Sequence, residues 1–114
     1  MKTFQEYQEF TREVSLFKQK IKNPDFWLMY AAMGLAGEAG EVLEKIKKVL
    51  RDDDYVFTDE TRAKLHKEMG DTLFYLTVIA DLIGKPMSEI AGENRDKLLD
   101  RKERGMLGGS GDNR

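Results

Sequence analysis

Two pairs of acids in this sequence share one spacing: Glu38 with Glu41, and Glu68 with Asp71. Residues three apart on an α-helix project from neighbouring points of one face. If both segments are helical and face each other, four carboxylates converge. Their mutual repulsion and lost hydration cost several kcal/mol per ion unless a cation compensates them. All-oxygen donors in a chain without cysteine favour a hard ion. Magnesium, with manganese as a substitute, keeps some of its water and completes its shell with phosphate oxygens, which suits chemistry on a phosphoanhydride. The competing account of any single acid is a solvated carboxylate, or one paired with Lys45, Arg62, Lys64 or Lys67.

The elements that must position these acids can be read from caps and periodicity. Asn23-Pro24 is an N-cap followed by proline at the first helical position, where its missing N–H costs nothing. Leu28, Leu35, Val42, Ile46 and Val49 then form the apolar stripe of a helix that ends in Asp52-Asp53-Asp54. Glu38 falls within that stripe and Glu41 at its margin. Thr58 caps the next helix, with Asp59 and Glu60 at the positive end of its dipole and Leu65, Met69, Leu76 and Ile83 along it. Gly84-Lys85-Pro86 stops it. Glu68 lies between Tyr75 and Ile79 on the wheel, so both acid pairs lie against the packing side. An earlier helix is predicted from Thr3 to Lys20, carrying Phe4, Tyr7, Phe10, Val14, Phe17 and Ile21, and a last one from Met87 to Arg104. The fold class is all-α, a four-helix antiparallel bundle. Gly34, Gly37, Gly40 and Gly70 lie inside helices at a cost of roughly 1 kcal/mol each relative to alanine. They are expected to let the two central helices approach closely, either for the acids or as ordinary tight packing.

A chain of 114 residues makes one domain, here residues 1–104, followed by a Gly-rich tail, 105–114. With 40% hydrophobic and 35% charged residues it should fold, and a net charge of -2 marks no general nucleic-acid or membrane binder. No apolar stretch of signal or membrane-span length is present, and the expected location is cytoplasmic. His66, the single histidine, is expected at the surface. No Glu-x-x-His occurs, which sets the chain apart from di-iron carboxylate bundles.

Gly34-Leu35-Ala36-Gly37-Glu38-Ala39-Gly40-Glu41-Val42, followed after residues 42–67 by Glu68-Met69-Gly70-Asp71, resembles the MazG-like nucleotide pyrophosphohydrolases, whose signature is ExxE, a spacer, then ExxD. The resemblance implies a magnesium-dependent enzyme that cleaves nucleoside triphosphates between the α and β phosphates, releasing monophosphate and pyrophosphate, and works as a homodimer or homotetramer. Glu38, Glu41, Glu68 and Asp71 would hold the metal, with Glu38 or Glu41 as general base. Asn94, Lys97 and Arg101 resemble the family's Asn-x-x-Lys-Leu segment, which reaches the substrate's phosphates or sugar. Tyr75 stands where relatives place a residue near the sugar. Phe26, Trp27 and Tyr30 are aromatic candidates to stack on the base, with core packing the better expectation for each. The tail is expected to be disordered, with folding over a phosphate through its backbone N–H groups as the alternative. Two other functions fit the same residues: a helical interaction module without catalysis, and hydrolysis of another phosphoanhydride such as a phosphoribosyl-nucleotide.

Overall fold

A computed structural model describes residues 1–114, all helix and turn. Thr3 opens α1 (Phe4–Val14) with a capping box: its hydroxyl accepts from the Glu6 N–H, and the Glu6 carboxylate accepts from the Thr3 N–H. The helix predicted to run on to Lys20 stops here. Ser15 is extended (φ -77°, ψ 119°) and its hydroxyl bonds back to the Thr11 carbonyl, a local alternative to helix propagation. A single turn, α2 (Phe17–Lys20), follows. The break turns Phe17 inward against Ala31 and Val78, the centre of the core.

The 3-10 turn Pro24–Phe26 is capped by Asn23, whose side chain accepts from the Asp25 N–H, and it leads into α3 (Trp27–Asp52). The acidic turn after α3 places Asp54 and Tyr55 in the left-handed region (φ 50° and 59°), with the Tyr55 ring edge-on to Phe57. Thr58 caps α4 (Asp59–Leu82). Gly84, at φ 74°, and Pro86 then turn the chain into α5 (Met87–Glu103).

Helices α3 and α4 form the principal pair, and their register is antiparallel: Lys45 meets Glu68, Glu38 meets Asp71, Gly34 meets Tyr75 and Ala31 meets Val78. Helix α1 crosses α4, with Arg12 Nη2 2.6 Å from Asp81 Oδ1. Buried Gln8 ties α1 to the α4–α5 turn, donating to the Lys85 carbonyl and accepting from the Met87 N–H at 2.9 Å. Helix α5 packs mainly against α1, so the bundle is open on one side. The radius of gyration is 17.2 Å, against about 13 Å for a compact chain of this length. Only 10 of 114 residues are buried, which places most of the apolar surface within reach of water.

Replacing Gln8 with alanine removes both clamp bonds and strands a buried N–H. Urea unfolding should show a loss of about 1–3 kcal/mol, with faster amide exchange at Met87.

Candidate metal centre

The antiparallel register places Glu38 of α3 opposite Glu68 and Asp71 of α4. One carboxylate oxygen from each lies within 4.8 Å of the other two. Burial, followed by the charges of Asp71, Glu68 and Glu41, raises the Glu38 pKa above the ordinary carboxylate value. The one cation at the cluster is Lys45, whose Nζ stands 3.4 Å from Glu68 Oε1, so three negative charges meet one positive. Three acceptor-only groups with surplus negative charge are a donor set suited to a hard divalent cation, with room left for water or phosphate oxygens. Glu41 lies outside this trio: it is exposed on α3 and acts on Glu38 through its charge. The four-carboxylate expectation thus resolves into three converging oxygens and one neighbour. Of the competing ion pairs, Lys45 does engage Glu68, whereas Lys64 pairs with Glu60 and Arg62 with Asp59.

Close approach depends on one glycine of the four. A Cβ on Gly34 would sit 2.3 Å from the Tyr75 ring, so only hydrogen fits there, while Gly37, Gly40 and Gly70 have no such neighbour. Seated on Gly34, Tyr75 packs edge-on to Tyr30 and Phe74. Its hydroxyl is held above the usual phenol range by hydrogen bonding with Tyr30, by burial and by the charges of Glu38 and Asp71. Tyr75 therefore joins the acid trio to an apolar cavity of about 280 Å³ lined by Leu16, Phe17, Ile21, Tyr30 and Val78. Tyr7 on α1 also feels Asp71: burial, then that charge, raises its hydroxyl pKa. The apolar stripe of α1 thus also carries a phenol hydroxyl that senses the acids, a polar atom that periodicity alone does not single out.

Trp27 lies about 16 Å along α3 from Glu38, and it packs beside the core. Its indole N–H donates to the Ile21 carbonyl at 2.8 Å, its ring meets Phe17 edge-on, and Lys18 sits over its face. Asn94, Lys97 and Arg101 form a separate group on α5, which packs against α1 rather than along the α3–α4 seam. Asn94 is exposed. Lys97 Nζ is 2.8 Å and Arg101 Nη2 3.2 Å from Asp112 Oδ1. The tail expected to be disordered is thus folded back on α5. Arg114 binds the carbonyls of Leu107, Gly108 and Gly111, while Arg104 binds the Arg114 main-chain oxygen at 2.8 Å. His66 is exposed, as expected, and no helix is long and apolar enough to cross a membrane.

The chain is thus all-α, with a carboxylate trio between two antiparallel helices that could hold a divalent cation. Residues 30–106 match the model of the MazG nucleotide pyrophosphohydrolase domain, and the chain belongs to that family. It is 47% identical over 87 residues to the Gene 37 protein of Mycobacterium phage L5, covering 76% of each chain. No solved structure matches.

Because the Glu38 pKa is raised on folding, its contribution favours the folded state below the unfolded carboxylate pKa and declines as pH rises through the folded one. In metal-free protein, Glu38→Gln should therefore raise the melting temperature at pH 7, and the gain should vanish below about pH 4. Melts across pH in EDTA check this.

Proposed function

We propose that the chain hydrolyses nucleoside triphosphates to nucleoside monophosphate and pyrophosphate with magnesium, in the cytoplasm. The observation that carries this is the Glu38, Glu68 and Asp71 trio on facing helices of a MazG-family chain. Glu38, Glu68 and Asp71 would hold the magnesium, which would supply charge neutralisation for the polyphosphate and a lowered pKa for a water beside it. Glu41, exposed on the turn after Glu38 and outside the trio, is the carboxylate free to accept that water's proton. The cavity beside Tyr75 would take the nucleoside, with Tyr30 and Tyr75 offering aromatic faces. Stacking of roughly 1–3 kcal/mol per base gives affinity before base selectivity. Asn94, Lys97 and Arg101 would meet the phosphates.

Because α5 stands away from the seam, a second copy of the chain would bring its α5 to the trio. The surface supports such an assembly: Met29, Met33, Ala36, Gly40 and Leu43 recur at alternating four- and three-residue steps on an exposed face of α3, with Leu50 seven further on, and Met69, Leu76 and the C-cap Ile83 recur every seven along α4. Unpartnered stripes of this length are the surfaces that oligomers cover.

Pyrophosphate release from the eight common ribo- and deoxyribonucleoside triphosphates tests the chemistry. Asp71→Asn should lose both hydrolysis and the magnesium-induced rise in melting temperature. Glu41→Gln should keep that rise and lose about 10²–10⁴-fold in kcat. A magnesium-stabilised protein that cleaves none of the eight would point to another phosphoanhydride, and no magnesium effect on either readout would favour an interaction module.

Light scattering tests the assembly. The wild-type chain should exceed the 13.1 kDa of one copy, and Leu43→Glu, which puts a charge in the α3 stripe, should shift it toward a monomer.

A further inference from the structure

Arg101 is the one charged residue buried in this open molecule, at 5% exposure, and what covers it is the chain's own tail. Its guanidinium bonds both the main-chain carbonyl and the carboxylate of Asp112, and Lys97, one turn earlier on α5, bonds the same carboxylate oxygen at 2.8 Å. These two cations converge on one oxygen anion, and the contacts hold the Asp112 pKa below the ordinary carboxylate range, Lys97 contributing most. The tail is bent to deliver that oxygen: Gly109 and Gly111 take φ of 92° and 87°, and the Arg114 guanidinium clips the carbonyls of Leu107, Gly108 and Gly111 from inside the loop. No other side chain is held by two cations at once in this way on α5.

We propose that Asp112 is an internal competitor for phosphate: its carboxylate closes the Lys97–Arg101 anion site, and a polyphosphate must displace it to bind. This rests on the proposed role of those two cations in meeting the substrate's phosphates. The charges favour exchange. One carboxylate leaves the pair with a net positive charge, whereas a di- or triphosphate brings several negative charges and oxygens that suit a guanidinium fork. The Asp112 side chain is itself 75% exposed, so it can swing into water without breaking a packed core. Tethered on a short loop, it competes at an effective concentration on the order of millimolar, so it raises the ligand level needed for occupancy without closing the site permanently. The tail thereby sets a threshold for phosphate binding at α5.

The test is isothermal titration of the full chain with inorganic pyrophosphate in EDTA, where the acid trio has no metal through which to take part. Asp112→Asn should tighten pyrophosphate binding by at least about fivefold, the tax a mostly closed site imposes. Arg114→Ala, which loosens the loop and leaves Lys97, Arg101 and Asp112 intact, should tighten it in the same direction. Adding Lys97→Ala to Asp112→Asn should remove the gain. Unchanged or weaker binding in both single variants would overturn the proposal, showing that Asp112 only steadies the two cations. The hydrolysis assay separates the two ideas. Tighter pyrophosphate binding without nucleotide cleavage would leave the competitor standing and sink the proposed activity, and cleavage with unchanged affinity would do the reverse.

Discussion

Glu38, Glu68 and Asp71 hold three negative charges within a few ångströms across the α3–α4 seam, and the pairing of those helices must be strong enough to keep them there. At about 5 Å, two like charges repel by about 1 kcal/mol in water and roughly 3 kcal/mol at an effective dielectric of 20. Lys45 offsets part of this at Glu68, while burial first and then the charges of Asp71, Glu68 and Glu41 raise the Glu38 pKa. What opposes the repulsion lies toward one end of the seam, where Ala31, Val78 and Phe17 are buried together and Tyr75 closes down on Gly34. Val49 is buried toward the other end. The acids thus sit between two packed stretches rather than inside one, which keeps them fixed in position and still open to water on one side. That combination is what a site for a hydrated ion requires.

The same division accounts for the openness of the chain. A core centred on Phe17, Ala31 and Val78 is small for 114 residues, and several of the apolar side chains it leaves out lie on the two central helices. They recur at heptad-like steps along α3 and α4. Helix α4 takes the acid-bearing face of α3, while Met29, Met33, Leu43 and Leu50 on another face stay exposed. Helix α5 leans on α1 rather than covering them.

Much of this was legible in the sequence because local signals and long-range packing agreed. The Asn23-Pro24 and Thr58 caps, the Gly84-Pro86 stop and the apolar periodicity place α3, α4 and α5 nearly where they stand, and the repeated three-residue acid spacing locates the trio. What was missed turns on single hydrogen bonds or on distance along the helix. The stripe Phe10, Val14, Phe17 continues through Ser15 without a flaw, so periodicity predicts one helix; the backbone instead turns extended at Ser15, whose hydroxyl bonds back to the Thr11 carbonyl. Glu41, at the margin of the arc in sequence, is exposed and stands beside the three converging oxygens rather than among them. The glycines look alike in sequence, but only Gly34 has an aromatic ring opposite it. Gly-rich composition suggests a loose tail, while the order in it comes from Asp112 and Arg114, charges whose partners no local pattern reveals.

A net charge of -2 conceals a sorting of charge that matters more than its sum. Negative groups gather at the α3–α4 seam, where they suit a cation, while Lys97 and Arg101 lie together on one face of α5, a helix whose acids otherwise outnumber its cations. Their place on another helix keeps these two cations from collapsing onto the seam acids and cancelling their charge. Lys45 shows what such a collapse looks like on a small scale, since its ammonium already leans on Glu68. The tail addresses the same difficulty at the other surface. By giving the α5 cations a weak, tethered anion of their own, it keeps a buried guanidinium compensated while leaving its partner easy to exchange.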